Sequence, residues 1–119
     1  MPSADVAGDL AYFEDQLGAE VVFAIEAFGT RVAQVRVADG PRLMLAGHLE
    51  GEAPVLVHRV DDLEATLAEL EHGGVEVEAR FGIPHGPCAS LHTPGGHRLA
   101  VYELTRPEVA DRLAGRRDF

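Results

Sequence analysis

The chain has 119 residues, which sets an expectation of one domain. A chain of this size buries roughly two-thirds of its unfolded surface, so a core can form without disulfides or metals. Hydrophobic residues make up 46% and charged residues 25%, a globular balance, and 20 acids against 10 bases give a net charge of -10. That charge repels a phosphate backbone and argues against a nucleic-acid partner. No apolar run approaches the ~20 residues of a membrane span, so no membrane partner is expected. The lone Cys88 has no partner for an internal disulfide, in keeping with a cytoplasmic location.

In chain order, Asp5 can cap a helix over 6–17 that places Val6, Leu10, Phe13 and Leu17 on one face, with Gly18 as its stop. Residues 19–28 alternate and predict a strand with Val21, Phe23 and Ile25 on one face. A second alternating run follows at 30–37, then a Gly40-Pro41 turn and a short strand from Arg42 to Ala46. A new apolar run, Val55-Leu56-Val57, opens the second half. Asp61-Asp62 caps a helix carrying Leu63, Leu67 and Leu70, and Gly73-Gly74 ends it. Strands are expected at about 75–83, 87–93 and 97–104. Pro107 suits the first turn of a final helix, 107–113.

The two halves repeat. An offset of 56 lays residues 5–48 over 61–104 and matches Asp5 with Asp61, Gly18 with Gly74, Glu20-Val21 with Glu76-Val77, Ala33 with Ala89, Gly40 with Gly96 and Arg42-Leu43 with Arg98-Leu99. Each half therefore reads as βαβββ: unit one over 1–48, unit two over 53–104, within a single domain over 1–119. The strand equivalent to 53–60 would begin before residue 1. The first strand of unit one is thus expected to be shortened, either as a stub or because the start lies upstream, and an open sheet edge there favours pairing with another chain.

The stretches Asp5-Val6 through Leu17-Gly18-Ala19-Glu20-Val21, Val57-His58-Arg59-Val60-Asp61-Asp62-Leu63 and Thr93-Pro94-Gly95-Gly96-His97-Arg98-Leu99-Ala100-Val101-Tyr102-Glu103 give the sequence its resemblance. It resembles the vicinal oxygen chelate superfamily of glyoxalase I, bleomycin- and fosfomycin-resistance proteins and extradiol dioxygenases, over about residues 2–104. The resemblance implies an α+β fold: two βαβββ units forming a half-open, cup-shaped mixed sheet with helices on the convex face, around a pocket within a chain or across a homodimer.

Alternation assigns faces within that expectation. Leu43, Leu45, Leu99 and Val101 should pack under helices, leaving Arg42, Met44, Ala46, Arg98, Ala100 and Tyr102 toward the cup. Gln34, Arg36, Cys88, Ser90 and His92 share that side, as do Val55, Val57 and Arg59. Metal-using relatives draw His, Glu or Gln from the first and last strand of each unit. Carried over by the resemblance, three of those positions are Met44, Val55 and Ala100, and a fourth precedes the chain. A divalent ion needs convergent donors about 2 Å away, which these three side chains do not supply. No metal or other cofactor is therefore expected.

The six histidines divide by position. His58 lies off the cup side and reads as packing against a helix; His97 reads as a solvated turn residue; His48, His72 and His85 fall in loops or turns; His92 faces the cup. Cys88 and His92 share a strand face but sit ~13 Å apart, too far for thiolate activation, and no acid in sequence orients His92. The cluster Arg106, Arg112, Arg116 and Arg117 reads as a solvated helix face or an intersubunit ion pair. The expected ligand-binding set is Arg36, Arg42, Met44, Val55, Arg59, Ser90, His92, Arg98, Ala100 and Tyr102, though the arginines have Glu20, Glu76 and Glu78 as rival partners. Such a lining suits a small amphipathic or anionic organic molecule. The leading expectation is a metal-independent binder resembling the bleomycin-resistance proteins. The alternatives are a lyase, isomerase or dioxygenase with a shifted metal site or with acid–base residues such as His92 and Tyr102, and a regulatory dimer with a vestigial pocket.

Overall fold

The structure, a computed structural model, describes residues 1–119. The chain divides into two compact units, Met1–Ala53 with Arg112–Phe119, and Pro54–Asp111.

In the first unit, helix α1 (Val6–Leu17) starts where the Asp5 carboxylate accepts from Gly8 N at 3.0 Å and stops at Gly18, which is left-handed at φ 62°. Strands β1 (Glu20–Ala27), β2 (Thr30–Arg36) and β3 (Arg42–Ala46) form an antiparallel sheet in the order β1-β2-β3. The opening strand is reduced to one parallel bridge, Pro2 beside Ala46, held by Ser3 N to Ala46 O at 3.1 Å and Ala46 N to Met1 O at 2.9 Å. The core joins Val6 and Leu10 of α1 to Ala24, Ala33, Val35 and Leu45. Leu43 and Leu45 thus do pack under a helix.

One alternation in this unit fails. Val21 lies opposite Val35 and packs on the helix side, whereas Phe23 lies opposite Gln34 on the other face, because a bulge falls between them. The carbonyl of the intervening Val22 accepts from Gly115 N at 2.8 Å, so the extra residue finds its partner in the C-terminal tail. A single-strand pattern carries no trace of that distant bond.

The second unit is complete. It comprises β4 (Val55–Val60), α2 (Leu63–His72), β5 (Ala79–Ile83), β6 (Gly86–His92) and β7 (Arg98–Glu103), in the sheet order β4-β7-β6-β5. Strand β4 runs parallel to β7 and the other pairs are antiparallel. Asp62 caps α2 by accepting from Ala65 N at 3.0 Å, and Glu103 accepts from Leu63 N at 2.9 Å, which ties the helix to β7. Leu63 and Leu67 bury against Ala89 and Val101. The second strand of this unit, β5, is shorter than the alternation predicts: Val75 N closes back on Leu70 O, and strand pairing begins only at Ala79.

Helix α3 (Glu108–Leu113) follows. The tail beyond it lines the outer edge of β1, with Ala24 N donating to Arg116 O at 2.9 Å and Asp118 N to Ala24 O at 2.6 Å. Phe119 packs against the first core, with the Arg31 guanidinium 5.0 Å from its ring centroid. The basic cluster is therefore mostly neither a solvated helix face nor an intersubunit pair. Arg117 forks onto Glu14 at 2.7 and 2.6 Å, Arg116 pairs with Asp118 at 2.8 Å, and Arg106 donates to the carbonyls of Ile83 and Pro84 at 2.6 and 2.7 Å. No helix is long and apolar enough to cross a membrane.

Candidate functional site on the second sheet

Ala89 and Val101 turn toward α2, so the residues alternating with them turn to the opposite, open face. Cross-strand register then sorts that face into three rows. Val55, Arg98 and His92 form the first. Val57, Ala100, Ser90 and Ala79 form the second. Arg59, Tyr102, Cys88 and Phe81 form the third. Seven of the ten residues expected at a ligand site thus occupy adjacent rows of one sheet face. The middle row is small at Ala79, Ser90 and Ala100, and longer side chains flank it on both sides. By side-chain size the middle row is thus the low one, a shallow trough with imidazole on one flank and aromatic rings on the other, although Ala100 and Cys88 on this face are themselves buried, at 6% and 3% exposure.

The remaining three expected residues lie in the first unit. Met44 pairs with Gln34, and Arg42 with Arg36, on the face away from α1. Arg36 is already engaged: its guanidinium donates to its cross-strand neighbour Glu20 at 2.7 Å. Of the rival carboxylates, Glu20 therefore does claim an arginine.

All ten cationic side chains are arginines, and their partners separate them. Arg31, Arg36, Arg80, Arg116 and Arg117 pair with carboxylates, Arg106 holds backbone carbonyls, and Arg98 and Arg112 also have partners. Arg42 and Arg59 make no hydrogen bond or ion pair. In a chain with twice as many acids as bases this is not for want of carboxylates. Arg59 also lines an open groove of about 380 Å³ with Asp61, Asp62 and Glu69 beside α2. A second groove, of about 480 Å³, is lined by Ser3, Leu49 and Glu52 in the first unit and contains none of the expected residues.

His92 has an acid partner after all. Its Nδ1 meets Glu78 Oε1, and Glu78 is positioned by donation of its own N–H to Ser90 O at 2.9 Å. The two residues stand fourteen apart in sequence. Only the β5–β6 register brings them together, which is why the sequence shows no acid beside the histidine. Phe81 lies in the expected strand, now β5, but nothing in the sequence marks its ring as a site residue. His85, in the turn between β5 and β6, packs edge-on to Tyr102, with centroids 6.2 Å apart and planes at 68°. Burial, and then the nearby Arg106 charge, hold its imidazole below the ordinary histidine range. Burial pushes the Cys88 thiol up, so it is a poor source of thiolate. His58 is exposed on the edge strand rather than packed under the helix.

A divalent cation does not fit the positions that the superfamily resemblance would give it. Met44, Val55 and Ala100 offer a thioether and two alkyl groups. Nowhere in the chain do three or more His, Cys, Asp or Glu side chains come together as a metal site.

No family model matches the sequence, and no curated protein matches it. Solved structures do share the fold. A glyoxalase/bleomycin resistance protein/dioxygenase superfamily member from Vibrio splendidus 12B01 aligns with a TM-score of 0.63 at 18% identity, over 87% of this chain and 92% of that one. An NAD-dependent benzaldehyde dehydrogenase structure from Legionella pneumophila gives 0.62 at 19%, over 83% and 90%. Methylmalonyl-CoA epimerase from Mycobacterium tuberculosis gives 0.60 at 22%, over 93% and 86%. At these identities the likeness establishes architecture, and the site must be argued from its own side chains.

Proposed function

We propose that this protein binds a small anionic or amphipathic organic molecule on the open face of its second sheet, and that no metal takes part. The observation that carries the reading is Arg59. It is a permanent cation with no protein partner, set in register beside Tyr102 and one row from the small residues Ala100 and Ser90. A planar guanidinium with unsatisfied donors is suited to a carboxylate, and the adjacent rings and alkyl groups are suited to the apolar remainder. One structure that shares the fold is named a methylmalonyl-CoA epimerase, so the architecture is compatible with an organic-acid derivative as ligand. We also propose a homodimer: β4 is an edge strand on which Leu56 is 56% and Val57 55% exposed, and such an edge is prone to pair.

Thermal shift with a panel of organic acids, with and without EDTA, tests the binding. A ligand that binds only the folded state raises Tm as it saturates. Stabilisation by an acid that survives EDTA and is lost in Arg59→Gln is the expected result. Stabilisation that requires a divalent ion would refute the reading.

A metal-free acid–base enzyme is the second reading, favoured by the contact between His92 and Glu78. A carboxylate at Nδ1 orients an imidazole and leaves Nε2 as the working nitrogen. Turnover abolished by His92→Ala, with binding intact, would establish it.

A further inference from the structure

The polar groups of the trough specify more than negative charge. We infer that its ligand is a planar aromatic monocarboxylic acid carrying a ring hydroxyl, with the carboxylate at Arg59 and the hydroxyl at Nε2 of His92. The inference rests on the binding reading above and names the ligand class for that same face.

Polarity comes first. Glu78 can only accept when ionised, so the His92 ring nitrogen facing it carries the hydrogen. Neutral imidazole has one N–H, which leaves Nε2 as an acceptor, and His92 makes no other contact that would use it. An acceptor there selects a donor on the ligand: a hydroxyl fits, whereas an ether of the same shape does not. At the other end Arg59 offers donors only. The trough is thus polarised along its length, with a cationic donor at one end and a neutral acceptor at the other, and calls for an anion and a neutral donor on the ligand.

Length comes second. Arg59 and His92 lie on strands separated by β7 and in rows four residues apart, so their Cα atoms stand roughly 16 Å from one another by strand spacing and rise. Side chains extended from both residues toward the middle row would shorten that span. The gap that remains accommodates a single substituted ring and leaves little room for a fused or long-chain acid.

The middle comes third. Ala79, Ser90 and Ala100 form a low floor on which a flat ring can lie close to the backbone. Beside the floor, Tyr102 is held by its edge contact with His85, and Phe81 is 45% exposed although it is a large apolar ring. Offset or edge contacts with these rings favour an aromatic ligand over an aliphatic acid of equal length.

The test is calorimetric titration of the intact protein with four acids: 4-hydroxybenzoate, benzoate, 4-methoxybenzoate and octanoate. 4-Hydroxybenzoate should bind about tenfold more tightly than benzoate, the scale of one net hydrogen bond, with 4-methoxybenzoate no better than benzoate. Octanoate should be weaker than any of them. His92→Phe should erase the advantage of the hydroxyl and leave benzoate within about twofold. Glu78→Gln should shrink the same advantage through the orientation of the ring, a second route if His92→Phe fails to fold. Arg59→Gln should weaken all four. Octanoate matching 4-hydroxybenzoate, or a hydroxyl without effect, would overturn the ligand class while leaving binding at Arg59 intact. No binding of any acid at millimolar concentration would remove both readings together.

Discussion

Phe28 sits at φ 53° with its side chain wholly in solvent, at the tip of the β1–β2 hairpin beside Gly29. Left-handed backbone costs an L-residue with a Cβ roughly 1–2 kcal/mol, and asparagine tolerates it best. Phe28→Asn should therefore raise stability by about 1 kcal/mol in urea denaturation; a loss would show that the ring makes a contact in solution. His85 provides the opposite kind of residue, a half-buried imidazole held neutral. Its folded pKa lies below the unfolded value of about 6.5, so above pH 6.5 neither state is charged and the residue contributes no pH dependence. As pH falls below 6.5 the unfolded chain takes the proton first, and stability declines until the lowered folded pKa is passed. His85→Gln should flatten that part of the stability profile, and an unchanged slope would contradict the burial argument. At this scale the sequence told only half. The cap residues Asp5 and Asp62 and the stop at Gly18 follow from local chemistry and are where it placed them. The partners of His92 and Arg117 are Glu78 and Glu14, fourteen and 103 residues away, and no local rule could select them.

Among the elements, the C-terminal tail is the least expected. It covers the outer edge of β1, and two kinds of force hold it. Phe119 adds apolar burial against the first core cluster, whereas the Arg117–Glu14 fork is exposed to solvent and screened by it. Phe119→Ala should accordingly cost about 1–3 kcal/mol, and Arg117→Ala no more than about 1 kcal/mol, in equilibrium denaturation. The reverse order would mean that charge, not packing, docks the tail. Acid provides an independent check. The Arg117 guanidinium holds the Glu14 carboxyl below the usual carboxylate range, and Arg116 does the same for Asp118. Both contributions are complete above the ordinary carboxylate pKa and fade as pH falls through the lowered values. Element periods were legible because each helix face and most strand faces follow one core. The exceptions have named causes: the bulge at Val22 answers to the tail, and residues 75–78 answer to the end of α2.

For the whole molecule, two units with the same strand wiring follow from a sequence that repeats its punctuation, and the missing opening strand appears as the single Pro2 bridge. What the repeat does not equalise is chemistry. Each unit keeps one unpaired arginine, Arg42 in the first and Arg59 in the second, but only the second sets it on one face with two aromatic rings and an imidazole, whereas in the first Arg36 is spent on Glu20. That asymmetry follows from register and pairing, which is why residue type and alternation alone put both units on an equal footing. The most direct test is a chemical-shift map of the ¹⁵N-labelled protein titrated with benzoate in the presence of EDTA. The account predicts that the amides of Arg59, Ser90, Ala100 and Tyr102 move together along one saturable curve. Shifts confined to α2 or to the first unit, or a map that appears only when a divalent cation is added, would contradict it.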